Sequence, residues 1–270
     1  MTSVSPTNTV YLVTGANRGL GLGLVKALLA RPRTTVVATV RDDETAAGLR
    51  EELAQPATAS TVAEESAAEV VVLDLSTAPT PEQVLEAIPP TLVYCVDVLI
   101  NNAGRMAPMV PIADAAPADL RAAFETNAVA PLALFQALRP RMLATSSVRA
   151  DRQAPPKVVM VSSSVGCIGQ QEAPGGAYGA SKAALNWITR ALHNENTAAG
   201  GLVAVALHPG WVQTRAGAHA ASEWGFQGEL PVTVEGSVKG MLEVIDGATR
   251  ETASGKFMTY KGGGAGLVVW

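Results

Sequence analysis

A chain of 270 residues with 48% hydrophobic side chains has enough apolar material for one substantial core. Its formal charge of −4 and pI near 5.5 offer no basic footprint for nucleic acid or an anionic membrane surface. Cys95 and Cys167 lie too far apart in sequence to suggest a disulfide framework, and the longest apolar run, Ala128 to Leu138, is too short for a bilayer and contains Pro131.

In chain order, short Val- and Leu-rich runs alternate with helical stretches, the pattern of a parallel sheet covered on both faces. Strands are expected at Thr9–Thr14, Thr35–Val40, Glu69–Leu73, Val96–Asn101, Lys157–Ser162, Leu202–His208 and Lys256–Tyr260. The first helix should run from about Gly19 to Ala30, and the longest from about Pro117 to Leu143. Residues 55–68 and 145–156 read as surface connections. An apolar tail, Leu267 to Trp270, is expected to dock on the body. No composition shift or internal repeat divides the chain, so a flexible segment at 1–8 should precede a single domain over 9–270. Residues 1–9 lack the basic and apolar parts of a signal peptide, which points to a cytoplasmic protein.

The first strand is followed by Thr14-Gly-Ala-Asn-Arg-Gly-Leu-Gly21, which opens a helix. Glycines there let the backbone approach a pyrophosphate, and the helix N-terminus favours its charge. At the end of the second strand, where an acidic side chain would read a ribose 2′-hydroxyl, stands Arg41. Arg41 and Arg18 suit a 2′-phosphate, hence NADP(H), although Asp42 and Asp43 keep NAD one residue away. Asp74, ending the third strand, is placed either to accept from an adenine amine or to cap the next helix with Ser76 nearby. Asn101-Asn102-Ala103-Gly104 ends the fourth strand on the edge where α/β ligands bind.

Tyr178 and Lys182, four apart, share one helix face with about 5–6 Å between Cβ atoms. At that range an ammonium favours the phenolate and should bring the phenol toward neutral pH. Asn127 carries a separate argument. Inside the long helix its carbonyl should accept from residue 131, a proline with no N–H. The carbonyl is thereby freed, the helix pushed open, and a water can be held there.

In order and spacing, Thr14–Gly21, Asn101–Gly104, Asn127, Ser163, Tyr178-x-x-x-Lys182 and Pro209-Gly210-x-x-x-Thr214 resemble the short-chain dehydrogenase/reductase family over nearly the whole chain. The opening run from Asn8 to Gly21 further resembles the fungal norsolorinic acid ketoreductase-like branch. The resemblance implies an α/β fold: a doubly wound, seven-stranded parallel sheet of Rossmann type. It implies that Tyr178 is the general acid/base, that Lys182 tunes it and holds the nicotinamide ribose, and that Asn127 anchors a water relay. Ser163 would hydrogen-bond the substrate carbonyl; Ser164 is the alternative within the triple serine. Dinucleotide contacts are implied along Gly15, Asn17, Arg18, Gly19, Leu20 and Gly21, and at Arg41, Asp74 and Leu75. Others are implied at Asn101, Ala103 and Gly104, and along Pro209, Gly210, Val212 and Thr214. His193, His208 and His219 read as structural, with no metal-ligand spacing among them.

The family's substrate lid would fall at about 211–230, ahead of a helix beginning near Pro231. In a chain with 4% aromatics it holds Trp211, Trp224 and Phe226, which suits a flat or apolar ligand or simply anchors the lid. The expected function is NADPH-dependent reduction of a ketone on a hydrophobic, aromatic or polyketide-like small molecule, by a homodimer or homotetramer. An NAD-linked alcohol dehydrogenase and a non-catalytic dinucleotide sensor are the competing readings.

Overall fold

A computed structural model describes residues 8–90, 92–143, 154–171, 174–197, 201–262, 267, 268 and 270. Seven parallel strands form the sheet: β1 (Thr9–Thr14), β2 (Thr34–Val40), β3 (Ala67–Val72), β4 (Val98–Asn101), β5 (Lys157–Val161), β6 (Val203–His208) and β7 (Lys256–Thr259). Leu267–Val268 adds a short antiparallel β8 against β7, and the spatial order is β3-β2-β1-β4-β5-β6-β7-β8. The order reverses between β1 and β4, so their carboxyl ends diverge and open a crevice.

Strand alternation sorts the core into two layers. Tyr11, Val13, Val36 and Val205 face α1 (Gly19–Leu29) and the helix Val234–Gly247, packing with Leu24, Leu28, Met241 and Ile245. Val10, Leu12, Leu99 and Ala204 face the other way, onto Leu134, Leu138, Leu185 and Leu192. Both faces of β2 are covered and all seven of its residues are buried, which is why it carries valine, alanine and threonine throughout and no charged side chain. α2 (Asp43–Ala54) joins the first layer through Ala46 and Leu49, α4 (Pro81–Ala87) joins the second through Val84, and a single turn, α3 (Pro56–Ala59), follows α2.

The long helix is present but not uniform. It runs as α5 (Pro117–Phe124), a π-helical turn over Glu125–Val129, then α6 (Ala130–Leu143). The widened turn lies just before Pro131, whose missing N–H denies Asn127 an ordinary i→i+4 partner. Next come α7 (Gly176–Glu195), α8 (Arg215–Glu223) and α9 (Val234–Gly247).

Three expectations need correction. Asn8 does not belong to a flexible segment: it is buried, and its Nδ2 donates to Thr35 Oγ1 at 3.1 Å and Glu65 O at 2.7 Å. Residues 1–7, and 145–153 of the expected surface connection, lie outside the described residues. The region 55–68 is partly ordered, with α3 inside it and β3 starting at its end. The segment expected as the lid contains α8, which Thr214 caps by accepting from Gly217 N at 3.1 Å. The following helix starts at Val234, capped by Thr233, rather than near Pro231. The tail does dock: the Trp270 ring stacks on Phe257 at 5.9 Å, and its carbonyl accepts from Gly169 N at 3.0 Å. No helix among the described residues is long and apolar enough to cross a membrane.

Candidate active site

The carboxyl ends of the strands surround a cleft of about 1730 Å³, larger than the usual single-ligand pocket of about 300–1,000 Å³. At one end lies the glycine turn between β1 and α1. Gly15 and Gly19 have φ of +65° and +54°, and a Cβ at Gly21 would sit 2.2 Å from the Gly15 carbonyl oxygen. Only glycine fits there. The N-cap residue of α1, Arg18, makes no side-chain cap, so the first amides of the helix face the cleft without an internal partner. This cradle of backbone N–H groups fits a dinucleotide pyrophosphate.

The loops of neighbouring strands are tied to that turn. Asn102 Nδ2 donates to Thr14 O at 2.8 Å and Gly15 O at 3.3 Å, while Asn102 N and Ala103 N both donate to Thr14 Oγ1. Asn101, expected to contact cofactor, does not line the cleft. Successive side chains of a strand end point to opposite sides, and the Asn101 amide is buried with Nδ2 against Met160 Sδ at 3.2 Å.

Arg18 and Arg41 both line the cleft. Arg41 is largely exposed and its Nε donates to Asp42 Oδ2 at 2.9 Å. Asp42 caps α2 through Thr45 N at 2.9 Å, and these hydrogen bonds, with Arg41's, hold its carboxyl down at about 2. Asp74 and Leu75 line the cleft as well. Asp74 is no helix cap; its two oxygens accept from Ser76 N and Ser76 Oγ, each at 2.8 Å, and Thr80 caps α4 instead.

The reactive group sits where β5, α7 and the β4 loop converge. Tyr178 and Lys182 stand one turn apart on α7, with Lys182 Nζ 5.7 Å from the tyrosine ring centre. The turn after β5 packs tightly on that helix: a Cβ at Gly166 would meet Lys182 Cβ at 2.6 Å, and one at Gly179 would meet Val165 O at 2.9 Å. This close approach brings the Ser163 hydroxyl into hydrogen-bonding contact with the Tyr178 phenol. Ser162 is turned away, donating to buried Asn186 Oδ1 at 2.6 Å.

Burial raises the Tyr178 phenol to about 12, and the Ser163 hydrogen bond pulls only partly the other way. This reverses the expectation of a lysine-lowered phenol. Lys182 Nζ donates to Val161 O at 2.8 Å, and its burial brings the ammonium down to about 8. The Asn127 side chain is fully buried and outside the cleft lining. Its Oδ1 accepts from Arg105 N at 2.8 Å, and its Nδ2 donates to Arg105 O and Ser181 Oγ at 2.9 Å each.

The family model for short chain dehydrogenase matches residues 9–224. The chain belongs to the short-chain dehydrogenase family. The norsolorinic acid ketoreductase of Aspergillus parasiticus is 37% identical over 264 residues, 96% of this chain and 90% of that protein. The short-chain dehydrogenase srdF of Neurospora crassa is 33% identical over 254 residues, 93% of this chain and 94% of its own. Among solved structures, the NADPH-bound carbonyl reductase from chicken fatty liver matches with a TM-score of 0.75 at 30% identity, covering 97% of this chain and 99% of that one. The carbonyl reductase Sniffer of D. melanogaster matches with a TM-score of 0.79 at 27% identity, with the same coverage. This short-chain dehydrogenase is therefore an oxidoreductase of carbonyl and alcohol groups that works with a nicotinamide dinucleotide.

The segment expected as the lid of this dehydrogenase borders the cleft. Trp211 and Trp224 line it, their ring centres 5.6 Å apart and nearly perpendicular. Phe226, a substrate candidate by sequence, lies outside the lining; it packs on Trp211 at 4.7 Å and is 41% exposed. The lid is latched twice: Trp224 Nε1 donates to Pro174 O at 3.0 Å, and Glu223 Oε2 accepts from Met109 N at 3.3 Å. Pro209, Gly210, Val212 and Thr214 line the cleft between lid and glycine turn. Sequence reasoning missed Asn102, Thr126, Met106 and Met109, all of which line it. The Asn-Asn pair carried a signal for Asn102; the methionines lie in an irregular loop where no periodicity marks them.

Proposed function

We propose that this dehydrogenase uses NADPH to reduce a ketone on a hydrophobic, aromatic or polyketide-like small molecule to a secondary alcohol. The observation that carries the reading is the Ser163–Tyr178 pair, beside buried Lys182, in a cleft that Trp211 and Trp224 wall on the lid side. A bound nicotinamide supplies the hydride for the carbonyl carbon. The Ser163 hydroxyl donates to the carbonyl oxygen as negative charge develops there. Burial keeps the Tyr178 phenol protonated near neutral pH, the state from which it gives its proton to that oxygen. Lys182 sets a positive charge near the phenolate left behind. The Asn127 carbonyl, opposite Pro131, holds a water through which the proton is replaced.

Support for NADPH comes from Arg18 and Arg41 lining the cleft at the adenosine end. Asp42, whose carboxylate would favour NAD, is committed to capping α2. An NADPH-bound carbonyl reductase of like fold adds support for this cofactor, and relatives named as ketoreductases support the ketone as substrate. The test is a panel of aryl and aliphatic ketones offered with NADPH or NADH, following cofactor oxidation. Turnover of bulky aryl ketones with NADPH is expected. No turnover of any ketone, or faster turnover with NADH, contradicts the proposal.

A further inference from the structure

His208 ends β6 and reads from sequence as structural, yet it lines the cleft beside the serine-bearing turn. The β5–β6 ladder continues one residue past β5, where Ser162 N donates to Leu207 O at 2.9 Å. A parallel ladder would next pair Ser164 N with Pro209 O. That carbonyl instead accepts from Ser237 Oγ at 2.7 Å. The imidazole takes its place: Ser164 N donates to His208 Nδ1 at 3.3 Å.

We propose that His208 is a positioning residue for the Ser163–Tyr178 pair, its unprotonated Nδ1 acting as the last acceptor of the β5–β6 ladder and fixing the turn that presents the Ser163 hydroxyl. The turn is short and closely tied. Gly166 N donates to Ser163 O at 2.9 Å and Cys167 N to Ser164 O at 2.8 Å, so a shift at Ser164 is felt at once on either side. Accepting from an amide requires the tautomer that carries its proton on Nε2. Burial holds the ring down at about 4, so it stays neutral across the physiological range and its acceptor persists. Pro209 and Gly210 follow directly, so the same residue joins the cofactor-side loop to the serine turn.

This role rests on the ketone-reductase reading only for its kinetic consequence. The test compares His208→Asn, whose amide oxygen stands as many bonds from the backbone as Nδ1, with His208→Leu, a near match in shape to Asn with no acceptor. His208→Gln, with its acceptor one bond farther out, serves as a third variant. Three quantities are read: kcat for an aryl ketone, NADPH affinity by fluorescence titration, and hydrogen exchange at the Ser164 amide without substrate. His208→Leu and His208→Gln are expected to lose about tenfold in kcat, the size of one orienting hydrogen bond, with NADPH Kd changed less than about twofold and faster exchange at Ser164. His208→Asn should recover kcat to within about threefold and restore slow exchange. The assignment is overturned if Leu, Gln and Asn variants share one kcat and one exchange rate, or if exchange at Ser164 is unchanged in a folded Leu or Gln variant. Should the wild type reduce no ketone while Ser164 still exchanges faster in the Leu variant, the ketone reading fails and the role of His208 as ladder acceptor stands.

Discussion

Asn127 holds both backbone polar atoms of Arg105, accepting from its N–H at 2.8 Å and donating to its carbonyl at 2.9 Å. The same amide reaches Ser181 on α7, so one buried side chain fastens the π-helical turn, the loop after β4 and the helix that carries Tyr178 and Lys182 together. A Cβ at Gly104 would lie 3.5 Å from Asn127 Oδ1 and 3.7 Å from Lys182 Nζ, which places this clamp against the lysine. Asn127→Leu removes three hydrogen bonds, two to the Arg105 backbone and one to the Ser181 hydroxyl, and should cost about 3 kcal/mol in urea unfolding, since one such bond contributes about 1 kcal/mol net. A loss below about 1 kcal/mol would show that the clamp contributes little.

The water proposed at the Asn127 carbonyl is tested separately, because no side-chain substitution touches that oxygen. A high-resolution crystal structure should find a water within hydrogen-bond distance of it on the cleft side. A carbonyl paired only within the helix removes the relay.

The proposed preference for NADPH leans on Arg41, which is exposed at the cleft rim. Arg41→Ala should weaken NADPH binding about tenfold, as expected for a lost charge-assisted contact, and leave NADH binding nearly unchanged. Isothermal titration with both cofactors reads this directly; equal losses would mean that Arg41 does not meet the 2′-phosphate.

Strands such as β2 were legible because burial on both faces leaves a run of small and β-branched residues without charges, and Tyr178-x-x-x-Lys182 was legible because helical spacing alone makes them neighbours. Other features depend on tertiary context. Asn101 and Asn102 are chemically identical in sequence, and only the strand's last turn decides which faces the glycine loop. Helix α8 hid in a short stretch of alanine, glycine and polar residues with no large apolar side chain to mark its period, although Thr214 stood where a cap belongs. Pro131 announced a disturbance in the long helix but not that it would take π form. The rise of the Tyr178 phenol follows from burial, a quantity that no local motif carries.

Lys182 makes stability depend on pH. Its folded-state value of about 8 lies below the unfolded value of about 10.4, so between them the unfolded chain binds more protons. Stability should therefore rise with pH through that window, until the opposite shift of Tyr178 works against it above about 10. Measured against Lys182→Met, the wild type should gain about 2 kcal/mol between pH 8 and pH 10. A flat difference would mean that the ammonium is well solvated.

The lid's indole latch is tested with Trp224→Phe, which keeps an aromatic face but loses the hydrogen bond to Pro174 O. KM for aryl ketones should rise modestly in Trp224→Phe and about tenfold or more in Trp224→Ala, with smaller changes for short aliphatic ketones. If both ketone classes respond alike, Trp224 anchors the lid without touching substrate.

The central claim is that Tyr178 gives the proton that completes ketone reduction. Tyr178→Phe keeps the ring in its packing and removes only the hydroxyl beside Ser163. Single-turnover reduction of an aryl ketone, with NADPH affinity titrated in parallel, tests the claim most directly. The account predicts a fall in rate of about 10²–10⁴-fold, the usual contribution of general acid catalysis, with NADPH bound as tightly as by the wild type. A Tyr178→Phe protein that binds NADPH normally and reduces the ketone within about tenfold of the wild-type rate contradicts it.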